Sequence, residues 1–260
     1  MPLTAQSDRA EAGTPGLGPG PGGPAALQIA GLVPLSTVDW PGRLVATLFC
    51  QGCPWRCGYC HNTAILDPRT PGEVPWERVE DLLARRRGLL DGVVLSGGES
   101  TMQHAVIPAA ARVRELGFAV GLHTGGAFPE RLRALLDEGL LDWVGFDVKA
   151  SAPGYDAIVG RGHAWENAER SLRLLLDAGI DHELRMTVTP ALIEQIPAVL
   201  EMLGAASASA LVLQRARSDG APAAFAAQLD AVPDWTARFD AAVEAARETG
   251  RRLGVAVSSR

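Results

Sequence analysis

The chain has 260 residues, 47% hydrophobic and 21% charged, enough for one domain of α/β-barrel size with an ample core. A net charge of −6 leaves no basic footprint for nucleic acid, and no apolar run reaches membrane-spanning length. The N-terminus lacks the basic and apolar regions of a signal peptide, so its four cysteines point to a reducing cytoplasm.

Residues 1–26 carry six glycines and five prolines with almost no large apolar side chain. Such a segment buries too little surface to offset its ordering entropy, and it is expected to be a disordered tail before a single domain spanning 27–260. Residues 27–34 read as a short strand or hairpin arm, and 36–42 as a turn-rich segment. Residues 45–50 form an apolar run of the kind found in strands buried on both faces.

After this, helix and strand patterns alternate. A helix is predicted over 75–87, with Val79, Leu82 and Leu83 on one face, then a strand over 92–96 and a helix over 103–116. The series continues as strand 118–123, helix 129–138, strand 143–148, helix 164–178, strand 182–189, helix 191–204, strand 209–215 and helix 233–250. Residues 255–257 read as a short last strand. Repeated β-α units imply an α/β fold with a parallel sheet, right-handed crossovers and outer helices. About six strands precede the last helix, too few for a closed eight-stranded barrel. A doubly wound open sheet is the alternative, and either architecture puts the active site at the C-terminal strand ends.

All four cysteines fall between Cys50 and Asn62, just after the first buried strand. Cys53, Cys57 and Cys60 make a Cys-x3-Cys-x2-Cys triplet. Three thiolates on one loop can bind three corners of an iron–sulfur cluster. A cubane holds four irons, so one would stay open to an outside molecule, which suits chemistry better than plain electron transfer. Structural zinc usually joins ligand pairs from separate segments, and one short loop would clamp nothing. A chain of this size needs no disulfide framework, and a redox pair of Cys50 and Cys53 would leave Cys57 and Cys60 unexplained. Cys50 reads as the last strand residue, a small hydrophobe and not a ligand.

Further candidates fall at strand ends. In Ser96-Gly97-Gly98-Glu99 two glycines let backbone come close to a ligand, and Glu99 can pair with an ammonium group. His123-Thr124-Gly125-Gly126 ends the next strand, and a lone histidine such as His123 is more often structural than a ligand. Period-2 alternation points Asp147 and Lys149, the single lysine, to one side. Such a pair is either a structural bridge or part of a site. Arg185 alternates with apolar residues on a predicted inner strand and needs a buried anionic partner, either Asp147 or a ligand carboxylate. Gln214 and Arg215 end the last strand, facing either the same cavity or solvent.

With Tyr59 just before Cys60, the cysteine triplet resembles the signature of radical S-adenosylmethionine (SAM) enzymes. Leu-Ser-Thr-Val-Asp-Trp-Pro-Gly at 35–42, Phe49 through Cys53, and Cys60-His61-Asn62 narrow the resemblance. It is to the glycyl-radical-enzyme activases, and most closely to anaerobic ribonucleoside-triphosphate reductase activating proteins. The resemblance covers about 27–217. It implies a partial (β/α)6 TIM-like barrel of the radical SAM type. Cys53, Cys57 and Cys60 would hold a [4Fe-4S] cluster, with SAM on the fourth iron through its amino and carboxylate groups. Tyr59, His61, Gly97, Gly98, Glu99, Thr124, Asp147, Lys149 and Arg185 would bind SAM, the Gly-Gly-Glu motif holding its amino group. An external one-electron donor such as a flavodoxin or ferredoxin would drive cleavage of SAM to methionine and a 5′-deoxyadenosyl radical. That radical would take a hydrogen atom from a backbone glycine of a partner glycyl-radical enzyme.

Two departures stand out. Ser100 replaces a proline found in many members, and His123 replaces an aspartate that helps some activases hold a monovalent cation, which argues against such a cation site here. Two alternatives remain. A radical SAM enzyme acting on a small molecule is opposed by the few insertions and the 36–42 flank. An iron–sulfur electron carrier or redox sensor is opposed by the missing fourth ligand and the ordered strand-end motifs.

Overall fold

Short β-branched and leucine-rich runs alternate with amphipathic stretches, and the computed structural model, which describes residues 22–260, gathers them into one eight-stranded sheet backed by helices. A 3-10 turn at Pro24–Ala26 leads into β1 (Ile29–Ser36), which pairs antiparallel with β2 (Val45–Cys50). Next come α1 (Trp76–Arg85), β3 (Gly92–Gly97), α2 (Val106–Glu115), β4 (Ala119–Thr124), α3 (Pro129–Asp137) and β5 (Trp143–Asp147). The chain continues through α4 (Tyr155–Val159), α5 (Ala164–Ala178), β6 (Asp181–Val188), α6 (Ile196–Ala205) and β7 (Ala210–Arg215). It ends with α7 (Ala223–Asp230), α8 (Trp235–Leu253) and β8 (Ala256–Ser259).

Strands β2 to β8 pair in parallel, and spatial order follows sequence order from β1 to β8. A doubly wound sheet would reverse its order at a switch point, so that alternative is excluded. No pairing joins β1 to β8 among the described residues, and the barrel stays open. The six strands β2 to β7 form the partial (β/α)6 barrel, flanked by β1 and β8.

Alternation along each strand sorts side chains into two layers. On β2, Ala46, Leu48 and Cys50 point outward into the main core against the helices. Val45 packs in a smaller inner cluster with Trp40, Val94 and Trp143, and Phe49 faces the cavity above it. Fully burying each such aliphatic side chain stabilises the fold by roughly 1.5–3 kcal/mol. The inner cluster plugs one end of the barrel, leaving the C-terminal strand ends free for a site.

Four elements differ from the sequence reading. The predicted helix over 191–204 divides into a 3-10 turn at Pro190–Gln195 and α6, because Pro197 lacks an N–H and fits only a helix's first turn. Helices α4 and α7 were not predicted. The expected disordered stretch 1–26 lies outside the described residues up to 21, and Pro24–Ala26 within it form an ordered turn beside α1 and α2. Among the described residues no helix is long and apolar enough to cross a membrane.

Candidate active site

The chain leaves β2 at Cys50 and enters a loop closed by backbone bonds from Gly52 N–H to the Ile65 carbonyl (2.8 Å) and from Cys53 N–H to the Leu66 carbonyl (3.1 Å). Within it the Cys60 N–H donates to the Cys57 carbonyl (3.1 Å), and the Asn62 N–H donates to Cys60 Sγ (3.4 Å). Arg56 N–H donates to the Val159 carbonyl (2.8 Å), fastening the loop to α4. Cys53, Cys57 and Cys60 are half-buried and line one cavity of about 770 Å³, whereas Cys50 is fully buried. Strand alternation explains the difference, since Cys50 shares the outward face of β2 with Ala46 and Leu48.

The turn after β3 grips this loop. Gly98 N–H donates to the Cys50 carbonyl (3.0 Å) and Glu99 N–H to the Gly52 carbonyl (2.8 Å). A Cβ on Gly97 would lie 2.2 Å from Cys50 N, and one on Gly98 would lie 2.2 Å from the Gly52 oxygen. These glycines let the turn come close to the cysteine loop, and both also line the cavity. Asn62 Nδ2 adds a bond to the Gly97 carbonyl (3.2 Å).

Glu99 is 2% exposed and caps the following turn. Its Oε1 accepts from Thr101 Oγ1 (2.5 Å), Thr101 N (3.3 Å) and Thr124 Oγ1 (2.8 Å). Among the described residues its Oε2 accepts only from Gly125 N (2.9 Å) and retains acceptor capacity. Burial pushes this carboxyl's pKa up, against the pull of those donors. Thr124 Oγ1 in turn accepts the Gly126 N–H (2.9 Å), so Thr124 orients Glu99 as well as lining the cavity.

Across the cavity, sheet register sets Asp147 opposite Arg185. Arg185 Nε lies 2.8 Å from Asp147 Oδ1, and Lys149 Nζ 3.0 Å from Oδ2. The anion expected for Arg185 is thus Asp147. Burial pushes the Asp147 carboxyl up, yet Arg185 and Lys149 outweigh it and hold the group well below the usual carboxylate range. Burial pulls the Lys149 ammonium down, and Asp147 overcomes that and raises it well above its ordinary value. Two cations share one carboxylate, so this wall carries a surplus positive charge.

Tyr59 and His61 both line the cavity, His61 beside Gly220 and Arg217. Tyr59 is buried and its hydroxyl meets no partner among the described residues, while Phe225 of α7 packs against its ring (centroids 6.3 Å). Gln214 and Arg215 face the cavity. Sequence reading missed the full role of His123, which lines the cavity and touches Ser96 Oγ (3.1 Å), the Asp39 carbonyl (2.7 Å) and Arg185 Nη1 (3.1 Å). Asn62 entered it only as part of the Cys60-His61-Asn62 flank, without its bond to Gly97, and α7 was missed, since no local motif signals it.

The chain has known relatives. A family model described as the radical SAM superfamily matches residues 47–203. The chain belongs to the radical SAM superfamily. A relative from Methanocaldococcus jannaschii, named as a glycyl-radical enzyme activating enzyme, is 31% identical over 172 residues, 64% of this chain and 70% of that one. Pyruvate formate-lyase-activating enzyme of Clostridium pasteurianum is 28% identical over 171 residues, again 64% of this chain and 70% of that one. Streptococcus suis SuiB superposes with a TM-score of 0.59 at 12% identity, over 81% of this chain and 47% of its own, and supports the fold alone.

Radical SAM enzymes use a [4Fe-4S] cluster and SAM, and the residues of this radical SAM chain fit both. The donor set is three thiols from one loop. They face a shared cavity, and no three His, Cys, Asp or Glu side chains among the described residues are placed to hold a single ion. Burial pushes the Cys53 thiol up to about 12, with Glu99 adding to the effect, and burial also raises Cys57. Iron would take these sulfurs as thiolates, so loading must release protons. The orphaned Tyr59 hydroxyl marks a place where a bound molecule can supply a polar partner. The cavity volume falls within the range of roughly 300–1,000 Å³ typical of small-molecule sites.

Proposed function

We propose that this radical SAM enzyme is a glycyl-radical-enzyme activase whose partner is an anaerobic ribonucleoside-triphosphate reductase. The observation that carries the reading is the meeting, in one cavity, of three loop thiols with a buried carboxylate on one side and a cationic pair on the other. The names of the two relatives supply the class of substrate.

Cys53, Cys57 and Cys60 would hold three irons and leave the fourth open. Glu99 Oε2, with its spare acceptor capacity, suits an ammonium group. Lys149 and Arg185 carry the surplus charge that suits a carboxylate, and Asp147 keeps both oriented. These charges complement the zwitterionic end of SAM. When bound, the cluster and SAM supply an electron and a sulfonium whose cleavage gives methionine and a 5′-deoxyadenosyl radical. Tyr59, His61, Gly97, Gly98 and Thr124 line the remaining wall and limit water. The reductant would be an external flavodoxin or ferredoxin in the cytoplasm.

Anaerobically reconstituted protein given dithionite and SAM is expected to release 5′-deoxyadenosine, and Cys57→Ala is not. Adding the reductase should produce the doublet of a glycyl radical on that enzyme by electron paramagnetic resonance. Nucleoside release without a radical on the reductase would overturn the partner, and the same mixture with pyruvate formate-lyase would then test the broader activase reading.

A further inference from the structure

Between β7 and α8 the chain runs through residues 217–233, which include α7 and lie against the rim of the cavity. Their hydrogen bonds are internal. Ala221 N–H donates to the Ser218 carbonyl (3.1 Å), Ala226 N–H to the Pro222 carbonyl (2.9 Å) and Val232 N–H to the Leu229 carbonyl (3.0 Å). Among the described residues no hydrogen bond or ion pair ties this stretch to any other part of the chain. Apolar contact holds it instead. Leu229 is buried, and the half-buried Phe225 packs on the ring of Tyr59. A Cβ on Gly220 would lie 3.7 Å from His61 Nδ1, so the stretch also passes over the histidine that follows the last cysteine.

Its two ends, by contrast, are fixed at one point. Ala216 N–H donates to the Val188 carbonyl (3.0 Å), and Trp235 Nε1 donates to the Ala216 carbonyl (3.0 Å). Trp235 packs on the buried Phe239, with ring centroids 6.1 Å apart. Just inside this base the backbone turns through the left-handed region at Gly220 (φ 77°) and Asp234 (φ 51°), residue types that tolerate it. A segment with a shared base and no hydrogen bond to its surroundings detaches as a unit at far lower cost than the paired strands.

We propose that residues 217–233 form a lid over the cysteine loop. When it is closed, Phe225 covers Tyr59 and Gly220 covers His61, the two residues that flank Cys60. When it opens, the edge of the cavity that Tyr59 and His61 line is bared, and substrate and solvent gain a way in while the eight strands stay folded. Phe225 is the latch, acting on the site through Tyr59. The lid requires only that the three thiols hold a cluster, and it stands for a polypeptide or a small-molecule substrate alike.

The test compares anaerobically reconstituted wild type, Phe225→Ala and Phe225→Leu. Hydrogen–deuterium exchange read by mass spectrometry should show α7 of the wild type exchanging about tenfold or more faster than α5, whose inner face is buried along its length. Phe225→Ala should speed exchange in α7 by a further factor of about ten, the scale of a lost aromatic contact, and leave the strands unchanged. Phe225→Leu should recover most of the protection. Iron captured by ferrozine in the presence of dithionite reports access to the cluster. Its rate should rise in Phe225→Ala by the same factor as the exchange, because both need the lid open, and fall back in Phe225→Leu. Exchange in α7 as slow as in α5 would overturn the lid as a separate unit. Faster exchange in Phe225→Ala with unchanged iron release would overturn its place over the cluster. Faster exchange in the strands as well would show that Phe225 holds the barrel together, and the lid would fall on that result too.

Discussion

His123 shows how neighbours set the charge of one residue. Its Nε2 lies 2.7 Å from a carbonyl, which can only accept, so this nitrogen carries the proton and Nδ1 accepts from the Ser96 hydroxyl. Arg185 then stands beside the ring as a charge and not as a donor. Burial and that guanidinium push the pKa of His123 down to about 4. In the unfolded chain a histidine titrates near 6.5. Unfolded protein therefore binds the proton first, and stability is flat above about pH 6.5 and falls as pH drops toward 4. At about 1.4 kcal/mol per pKa unit, the loss is on the order of 2–3 kcal/mol. Urea unfolding between pH 7.5 and 4.5 should show this slope in the wild type and lose most of it in His123→Gln. An equal slope in both proteins would mean that another group titrates. The cysteine triplet was readable from sequence because its spacing is local. The contacts of His123 come from Asp39, Ser96 and Arg185, and only the folded sheet brings those together.

At the scale of elements, the turn after β3 and the cysteine loop act as one unit, held by the bonds from Gly98 and Glu99 to Cys50 and Gly52. Gly98→Ala would drive a methyl into the Gly52 carbonyl, 2.2 Å away, and part the two segments. Iron per chain after reconstitution should fall severalfold from the four of a cubane. Gly58→Ala, in the same loop but with no atom within 4 Å of its Cβ position, should load as the wild type does. Chelator colorimetry decides it, and full iron in Gly98→Ala would show that the turn does not shape the loop. The strands of the parallel sheet were legible because each is a short apolar run flanked by polar turns. Helix α7 was not, since half of Ala223–Asp230 is alanine and it buries only Leu229. Its place over Tyr59 is set by Phe225 packing, which no periodicity reports.

For the whole molecule, the open barrel makes the cavity the meeting point of distant segments. Its wall draws on the loop after β2, the ends of β3 to β7, and Arg260 at the far end of the chain. A ligand seated there contacts pieces that are adjacent only when the sheet is assembled, so it binds the folded chain and not the unfolded one. At a concentration one hundred times its dissociation constant such a ligand stabilises by about 2.7 kcal/mol. For a domain of this size each kcal/mol raises Tm by roughly 2–4 °C. SAM should therefore raise the Tm of reconstituted protein by about 5–10 °C in anaerobic thermal unfolding. The same SAM concentration should act far more weakly on Cys57→Ala, because the open iron would be lost while Glu99, Lys149 and Arg185 remain. Equal shifts in the two proteins would place the whole affinity for SAM in the side chains of the cavity, and the thiols would then have no part in binding it.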